Sequence, residues 1–274
     1  MKVGIIGYGW VGKAMKVLFP NALVYVRDVD KYLKEELKKE EMAIPFTDDK
    51  VLVSGMDVTF ICVPSPSINE GKLDTSIVEE CIAWCESPLI VVRSTVNPGD
   101  CNNWAIKYQK RIVHQPEYLG ETPNHPLLDS VNVPFIILGG YKKDTRQVID
   151  LYATVYNANT KIRQVSHTES EIIKLSENRA IIFKVAQCQE LYDVCTKAGV
   201  DYYTIRDAVY GDDPRFNLWF TFVYPYKRGF NSKCVPKDIY AWCAFAESLG
   251  YNPEITRAIL EKNKEWINDK HTQS

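Results

Sequence analysis

The 274-residue chain is predicted to fold in the α/β class. A Rossmann-like doubly wound sheet over residues 1–166 is followed by a long connecting helix and a small all-helical domain over 167–274. Three observations predict this. Short apolar runs alternate with helical patterns through the first half, the signature of a parallel sheet with helices on both faces. The first run ends in a glycine-spaced turn, Gly7-Tyr8-Gly9-Trp10-Val11-Gly12. The texture then changes near residue 166, where Glu169–Ala198 runs for thirty residues with neither Pro nor Gly.

Val3–Ile6 is an apolar run ending in glycine, and a helical pattern follows over Val11–Leu18. Leu23–Val26 is a second strand candidate, followed by a charged helical stretch over Asp30–Glu41. Val58–Val63 and Leu89–Arg93 are further strands, each followed by a helix, at Ser76–Cys85 and Cys101–Gln109. Ile112–Val113 and Phe135–Leu138 complete the apolar runs. Gly199 closes the long helix as a left-handed cap residue should. At about 1.5 Å per residue such a helix is about 45 Å long, enough to bridge two lobes or form a dimer seam. An aromatic-rich loop spans Asp212–Lys233, and helical patterns follow at Pro236–Leu249 and Pro253–Asn268. The last six residues read as frayed.

Composition excludes several classes. Hydrophobic residues make up 46% and charged residues 25%, an ordinary globular mixture. Lys+Arg 33 against Asp+Glu 35 leaves a net charge of 33 − 35 = −2, unlike a dedicated nucleic-acid binder. No apolar run approaches the roughly 18–20 residues of a membrane helix, and the N-terminal run is too short and early for a signal peptide. The eight cysteines form no CxxC pair and no histidine lies at ligand spacing, so no metal site is expected. Buried, reduced thiols in a cytoplasmic protein are the expectation for all but Cys234.

The glycine turn carries the first chemistry. Gly7 permits a tight turn, Gly9 lets a pyrophosphate approach the backbone, and Gly12 permits close helix–strand packing. Trp10 and Val11 open the helix, whose free N–H groups and dipole favour phosphate. Asp28 follows Gly7 by 21 residues, at the end of the second strand. Its carboxylate suits the ribose hydroxyls of a dinucleotide and repels a 2′-phosphate, so NAD is expected over NADP.

The second half offers a polar pair and a cysteine. Lys174 and Asn178 are i and i+4 on the long helix and share a face that Ile181, Ile182 and Val185 continue. They point either into a substrate pocket or to a plain hydrogen-bonded pair. Cys234 stands just before a helix that Pro236 suits as a first residue, with Lys233 and Lys237 nearby and Asp238 within a turn. That setting favours a thiolate, although a buried thiol beside a capping aspartate fits the spacing equally well.

Taken together these segments resemble the UDP-glucose/GDP-mannose dehydrogenases, NAD-dependent enzymes that oxidise a sugar C6 alcohol to a carboxylate in two steps. The resemblance runs in order over nearly the whole chain. Gly7–Gly12 with Asp28 opens it. Phe60-Ile61-Cys62-Val63-Pro64-Ser65-Pro66 is similar to the family's VPTP strand end, and Ser94-Thr95-Val96-Asn97-Pro98-Gly99 to its STVxPG. Pro116-Glu117-Tyr118-Leu119 is similar to PEFL, and Glu171, Lys174 and Asn178 follow. Gly229-Phe230-Asn231-Ser232-Lys233-Cys234-Val235-Pro236-Lys237-Asp238 is similar to GFGGSCxPKD.

The resemblance implies roles. Cys234 is the nucleophile that holds the aldehyde as a thiohemiacetal and then becomes a thioester. Thr95 and Asp238 position a water, and Lys174 and Asn178 stabilise the oxyanion. Glu117 assists thioester hydrolysis. Gly7, Gly9, Trp10, Val11, Gly12, Asp28, Val63, Pro64 and Thr95 hold NAD. Glu117, Tyr118, Leu119, Lys174, Asn178, Gly229 and Phe230 face the sugar or nucleotide-sugar substrate. The resemblance also implies a homodimer about the long helix, with Arg215 of Asp213-Pro214-Arg215 lent to the neighbouring site.

Two departures qualify it. The chain ends 274 − 238 = 36 residues after Asp238, so the family's third, nucleotide-gripping domain is expected to be missing. Asn231, Ser232 and Lys233 replace two glycines and a serine, which reshapes the sugar site. A β-hydroxyacid dehydrogenase and a non-catalytic dinucleotide-binding module are the alternatives. The former lacks a Cys–Pro–Lys–Asp segment, and the latter has no need for six intact polar residues.

Overall fold

A computed structural model describes residues 1–31, 45–68, 71–120, 127, 129–232 and 235–268. The C-terminal part of the expected Asp30–Glu41 helix, the last six residues, and Lys233 and Cys234 lie outside them. The described chain divides into two compact units, residues 1–66 with 73–174, and 67–72 with 175–274.

The first unit is built on one eight-stranded sheet. Its strands are β1 (Val3–Ile6), β2 (Leu23–Tyr25), β3 (Phe46–Thr47), β4 (Val58–Ile61), β5 (Ile90–Val92), β6 (Ile112–His114), β7 (Phe135–Gly139) and β8 (Lys161–Val165), in the order β3-β2-β1-β4-β5-β6-β7-β8. All neighbours are parallel except β6 and β7. The helices are α1 (Trp10–Leu18), α2 (Lys50–Ser54), α3 (Ser76–Trp84), α4 (Asp100–Lys107) and α5 (Lys142–Tyr152). The order reverses at β1 and β4, the crevice where doubly wound sheets take their ligands.

Successive side chains of a strand point to opposite faces, and the central strands use both. Ile5, Val24, Phe60, Val91 and Val113 join one core cluster with Met15 and Leu18 of α1 and Val148 and Leu151 of α5. Ile6, Tyr25, Ile61, Ile90, Val92 and Ile112 join a second with Val78 and Ile82 of α3 and Cys101 and Trp104 of α4. That double burial is why these strands read as unbroken apolar runs. β8 differs: it is the sheet edge, and its Lys-Ile-Arg-Gln-Val is mostly exposed.

α6 (His167–Ala198) has 32 residues, about 48 Å at about 1.5 Å per residue. Gly199 follows it at φ +69°. The second unit contains α6 from Leu175 onward, α7 (Tyr202–Arg206), a π-helical turn (Asp207–Asp212), α8 (Val235–Ser248) and α9 (Glu254–Asn268). Ile182, Phe230, Ile239, Cys243 and Leu260 form one of its cores, and Cys188, Cys195, Tyr202, Tyr210 and Val223 the other. Arg228, Gln189, half-buried Asp193 and Trp266 knit a polar seam: Arg228 donates to both Gln189 and Asp193, and the Trp266 indole donates to Asp193 at 2.9 Å.

The seven described cysteines are free and buried. Among the described residues no cluster of metal-ligating side chains is present, and no helix is long and apolar enough to cross a membrane.

Candidate active site

The glycine turn leaves β1 with Gly7 at φ +95°, donating its N–H to the Tyr25 carbonyl at 3.0 Å. A Cβ on Gly7 would stand 2.6 Å from the Cys62 carbonyl oxygen, and one on Gly12 2.1 Å from the Gly7 carbonyl oxygen. Both glycines are therefore required by packing. Gly9 is the N-cap of α1, has no side-chain cap, and its Cβ direction is open. An open approach to an uncapped helix start suits a pyrophosphate. Asp28 is exposed after β2, where it accepts the Lys31 N–H at 3.0 Å. Arg27 is engaged by Glu80 at 3.0 Å.

Val63 and Pro64 follow β4, and Ser94 ties this segment to the next strand end: its hydroxyl donates to the Val63 carbonyl at 2.6 Å and accepts the Val63 N–H at 3.1 Å. Half-buried Thr95 comes next. The turn closes through Gly99 at φ +101°. Glu171 of α6, fully buried, caps α4 by accepting the N–H groups of Gly99 (2.5 Å) and Cys101 (2.9 Å). Burial pushes its carboxyl up to about 7, against the pull of those two N–H groups.

Glu117 lies in the turn after β6. One carboxylate oxygen accepts the N–H groups of Tyr118 (2.7 Å) and Leu119 (2.9 Å), and the other pairs with buried Arg93. Arg93 also donates to the Gln115 carbonyl at 3.1 Å. Lys174 places its ammonium 5.0 Å from the centre of the Tyr118 ring, a cation–π distance. The strand-end turn, Glu117, Tyr118, Leu119 and Lys174 all belong to the first unit.

In the second unit, Asn178 donates to Asp238 at 2.6 Å, and Lys237 reaches the other carboxylate oxygen at 2.6 Å. Asp238 is 1% exposed. A carboxylate this deep persists only when paired and hydrogen-bonded, and Asn178 and Lys237 supply both. α8 starts at Val235, whose N–H donates to the Ser232 hydroxyl at 3.2 Å. Position 234 directly precedes this helix, but Cys234 itself lies outside the described residues. Gly229, at φ +72°, packs where a Cβ would meet the Asn263 carboxamide oxygen at 2.5 Å. That oxygen accepts the Phe230 N–H at 2.8 Å, and the Asn263 amide donates to the Phe230 carbonyl at 2.9 Å. Arg215 is exposed and bound bidentately by Asp213. It borders a groove of about 450 Å³ with Phe183, Lys184, Tyr210 and Phe216.

The i, i+4 pair of α6 thus has two distinct partners: Lys174 engages Tyr118, and Asn178 engages Asp238. Sequence reasoning did not single out Arg93. A charged residue closing the apolar run Leu89–Arg93 was the available signal, because a buried guanidinium needs an anion.

Comparisons with known proteins add a lineage. Residues 21–159 match the model of the UDP-glucose/GDP-mannose dehydrogenase family, NAD binding domain, and residues 168–265 that of the same family's central domain. A UDP-glucose 6-dehydrogenase of Rickettsia typhi is 27% identical over 268 residues, covering 93% of this chain and 59% of the relative. One of Pseudomonas aeruginosa is 26% identical over 302 residues, covering 96% and 65%. The chain therefore spans about three fifths of the length of the first curated relatives it matches. The fold is similar to that of a UDP-glucose dehydrogenase from Pyrobaculum islandicum, with a TM-score of 0.80 at 23% identity over 96% of this chain and 68% of the other. A GDP-mannose dehydrogenase from Pseudomonas aeruginosa gives 0.69 at 24% identity, over 97% and 69%.

Proposed function

Because the chain belongs to the UDP-glucose/GDP-mannose dehydrogenase family, we propose that it oxidises the C6 alcohol of a sugar or nucleotide-sugar to the carboxylate. The observation that carries this reading is Asp238, a buried carboxylate held by Asn178 and Lys237 in the first turn of α8, directly after position 234. Such a carboxylate has no apolar-core purpose, and in the sequence it follows by four residues the cysteine that the reaction needs as nucleophile.

The glycine turn, Asp28, Val63, Pro64 and Thr95 are the residues to hold NAD. Open Gly9 and the uncapped start of α1 fit its pyrophosphate. NAD, when bound, would accept one hydride, so the two oxidations consume two NAD molecules in succession. In the proposed sequence the alcohol loses a hydride and a proton. The Cys234 thiolate adds to the aldehyde carbon, and the resulting alkoxide is protonated to the thiohemiacetal. Loss of the second hydride and of the hydroxyl proton leaves a thioester. Water then attacks, and the acid and the free thiol separate. The family resemblance assigns Asp238 and Thr95 to that water, Lys174 and Asn178 to the developing oxyanion, and Glu117 to the hydrolysis. Tyr118, Leu119, Gly229 and Phe230 line the sugar side.

The same reading divides the chain into an NAD-binding domain (1–166) and a substrate and dimerisation domain (167–274), in a cytoplasmic homodimer joined about α6 with Arg215 serving the partner's site. Exposed Phe216, Leu218 and Trp219 beside Arg215 support a protein contact there. NADH formation at 340 nm across a panel of UDP- and GDP-sugars tests the activity. Tight NAD binding with no NADH from any donor would leave a cofactor-binding module instead.

A further inference from the structure

We propose that Arg93 is the positioning residue of Glu117, fixing where the carboxylate of the Pro116–Leu119 turn stands. The inference rests on the functional reading above in so far as Glu117 assists hydrolysis. Arg93 directly follows β5, which is paired on both sides, by β4 and β6. Its side chain is 5% exposed. The guanidinium reaches the turn twice, donating to the Gln115 carbonyl at 3.1 Å and to the Glu117 carboxylate. A planar fork holding two points of one turn sets both position and orientation.

The rest of the turn closes the arrangement. The second Glu117 oxygen takes the N–H groups of Tyr118 and Leu119. Three of its roughly four acceptor sites are therefore committed, which leaves one for a further donor. The Gln115 side chain accepts the buried Tyr152 hydroxyl of α5, so the turn is tethered at its start as well. Burial raises the other titratable groups around Arg93: Cys62 and Tyr156 each up to about 12, and Tyr152 well above its ordinary value. The guanidinium and the carboxylate face each other as a pair. A carboxylate that must meet a water at one fixed place needs such a rigid hold.

The test compares wild type with Arg93→Met and Arg93→Lys as full-length protein, using a donor that turns over. Each is followed by NADH release and by mass spectrometry of Cys234 after rapid quench. The expected Arg93→Met enzyme keeps a KM near the wild-type value, loses about 100-fold in kcat, the cost of displacing a catalytic group by about 1 Å, and accumulates acyl adduct. Arg93→Lys recovers part of the rate, because it returns the charge without the fork. A purely structural Arg93 instead lowers the folded fraction and leaves kcat per folded molecule unchanged, and that result overturns the proposal. Should Arg93→Met not fold, the crystal structure of Arg93→Lys decides: a displaced Glu117 carboxylate supports positioning, and an unmoved one refutes it. A wild type that forms no NADH sinks the functional reading alone, and the same crystal structure still decides this one.

Discussion

At the scale of single residues, Asp28 sets the expected cofactor preference. Its carboxylate stands exposed after β2 while neighbouring Arg27 is drawn to Glu80. An arginine so engaged is poorly placed to welcome a 2′-phosphate. Asp28→Ala should weaken NAD binding by about 1 kcal/mol, roughly one net hydrogen bond, and narrow the margin over NADP. Calorimetric titration with both dinucleotides measures this, and a wild type that prefers NADP contradicts it. Arg93 and Glu117 make a second residue-scale claim. Removing one partner strands a buried charge, so Arg93→Met should cost about 3–5 kcal/mol of stability. The double variant Arg93→Met/Glu117→Leu should regain most of that loss in urea unfolding. If the double variant is no more stable than the single, the pair is not coupled.

Some of this was legible in the chain and some was not. The glycine turn could be read because its spacing is local, and it does open α1 directly after β1. Asn178 and Asp238 could be picked out one by one, but not as partners, because 60 residues separate them. The i, i+4 rule suggested instead that Asn178 and Lys174 act on one target. The rule gives a shared helix face, and it is the residues opposite that decide what each side chain engages.

At the scale of elements, the apolar strands and α6 were readable for one physical reason: burial on both faces, or freedom from Pro and Gly over many turns, leaves an unbroken pattern. β8 and α5 were not read. β8 is an exposed edge strand whose charged residues give no apolar run, and α5 places its apolar positions among charged ones. β3 has only two residues, too few for any periodicity.

Glu171 joins two elements, because a side chain of α6 caps α4. Its pH dependence follows from burial. The folded-state carboxyl is raised to about 7 from 4.5, so between those values the folded state binds more protons than the unfolded state. The associated stability is complete below about pH 4.5 and is lost as pH rises through about 7. The difference is of order 3 kcal/mol, at about 1.4 kcal/mol per unit. Glu171→Gln should flatten this part of the stability–pH curve in urea titrations from pH 4.5 to 8. A variant whose curve parallels wild type would show that Glu171 does not titrate there.

At the scale of the whole molecule, the fold brings the ends of β1 and β4, which carry the glycine turn and Val63-Pro64, to the reversal of strand order where a doubly wound sheet takes its ligands. Dimerisation about α6 predicts twice the chain mass in light scattering at micromolar concentration, and a monomer alone would refute it.

In the proposed reaction one enzyme removes four electrons from one alcohol by way of a cysteine-bound intermediate. The most direct measurement counts NADH per donor consumed, in wild type and in Cys234→Ala, alongside mass spectrometry of the quenched protein. Two NADH per donor are expected in wild type, with a donor-derived adduct on Cys234 and no acid from Cys234→Ala. Undiminished acid production by Cys234→Ala, at the same two NADH per donor, would contradict it and make the thiol a structural residue.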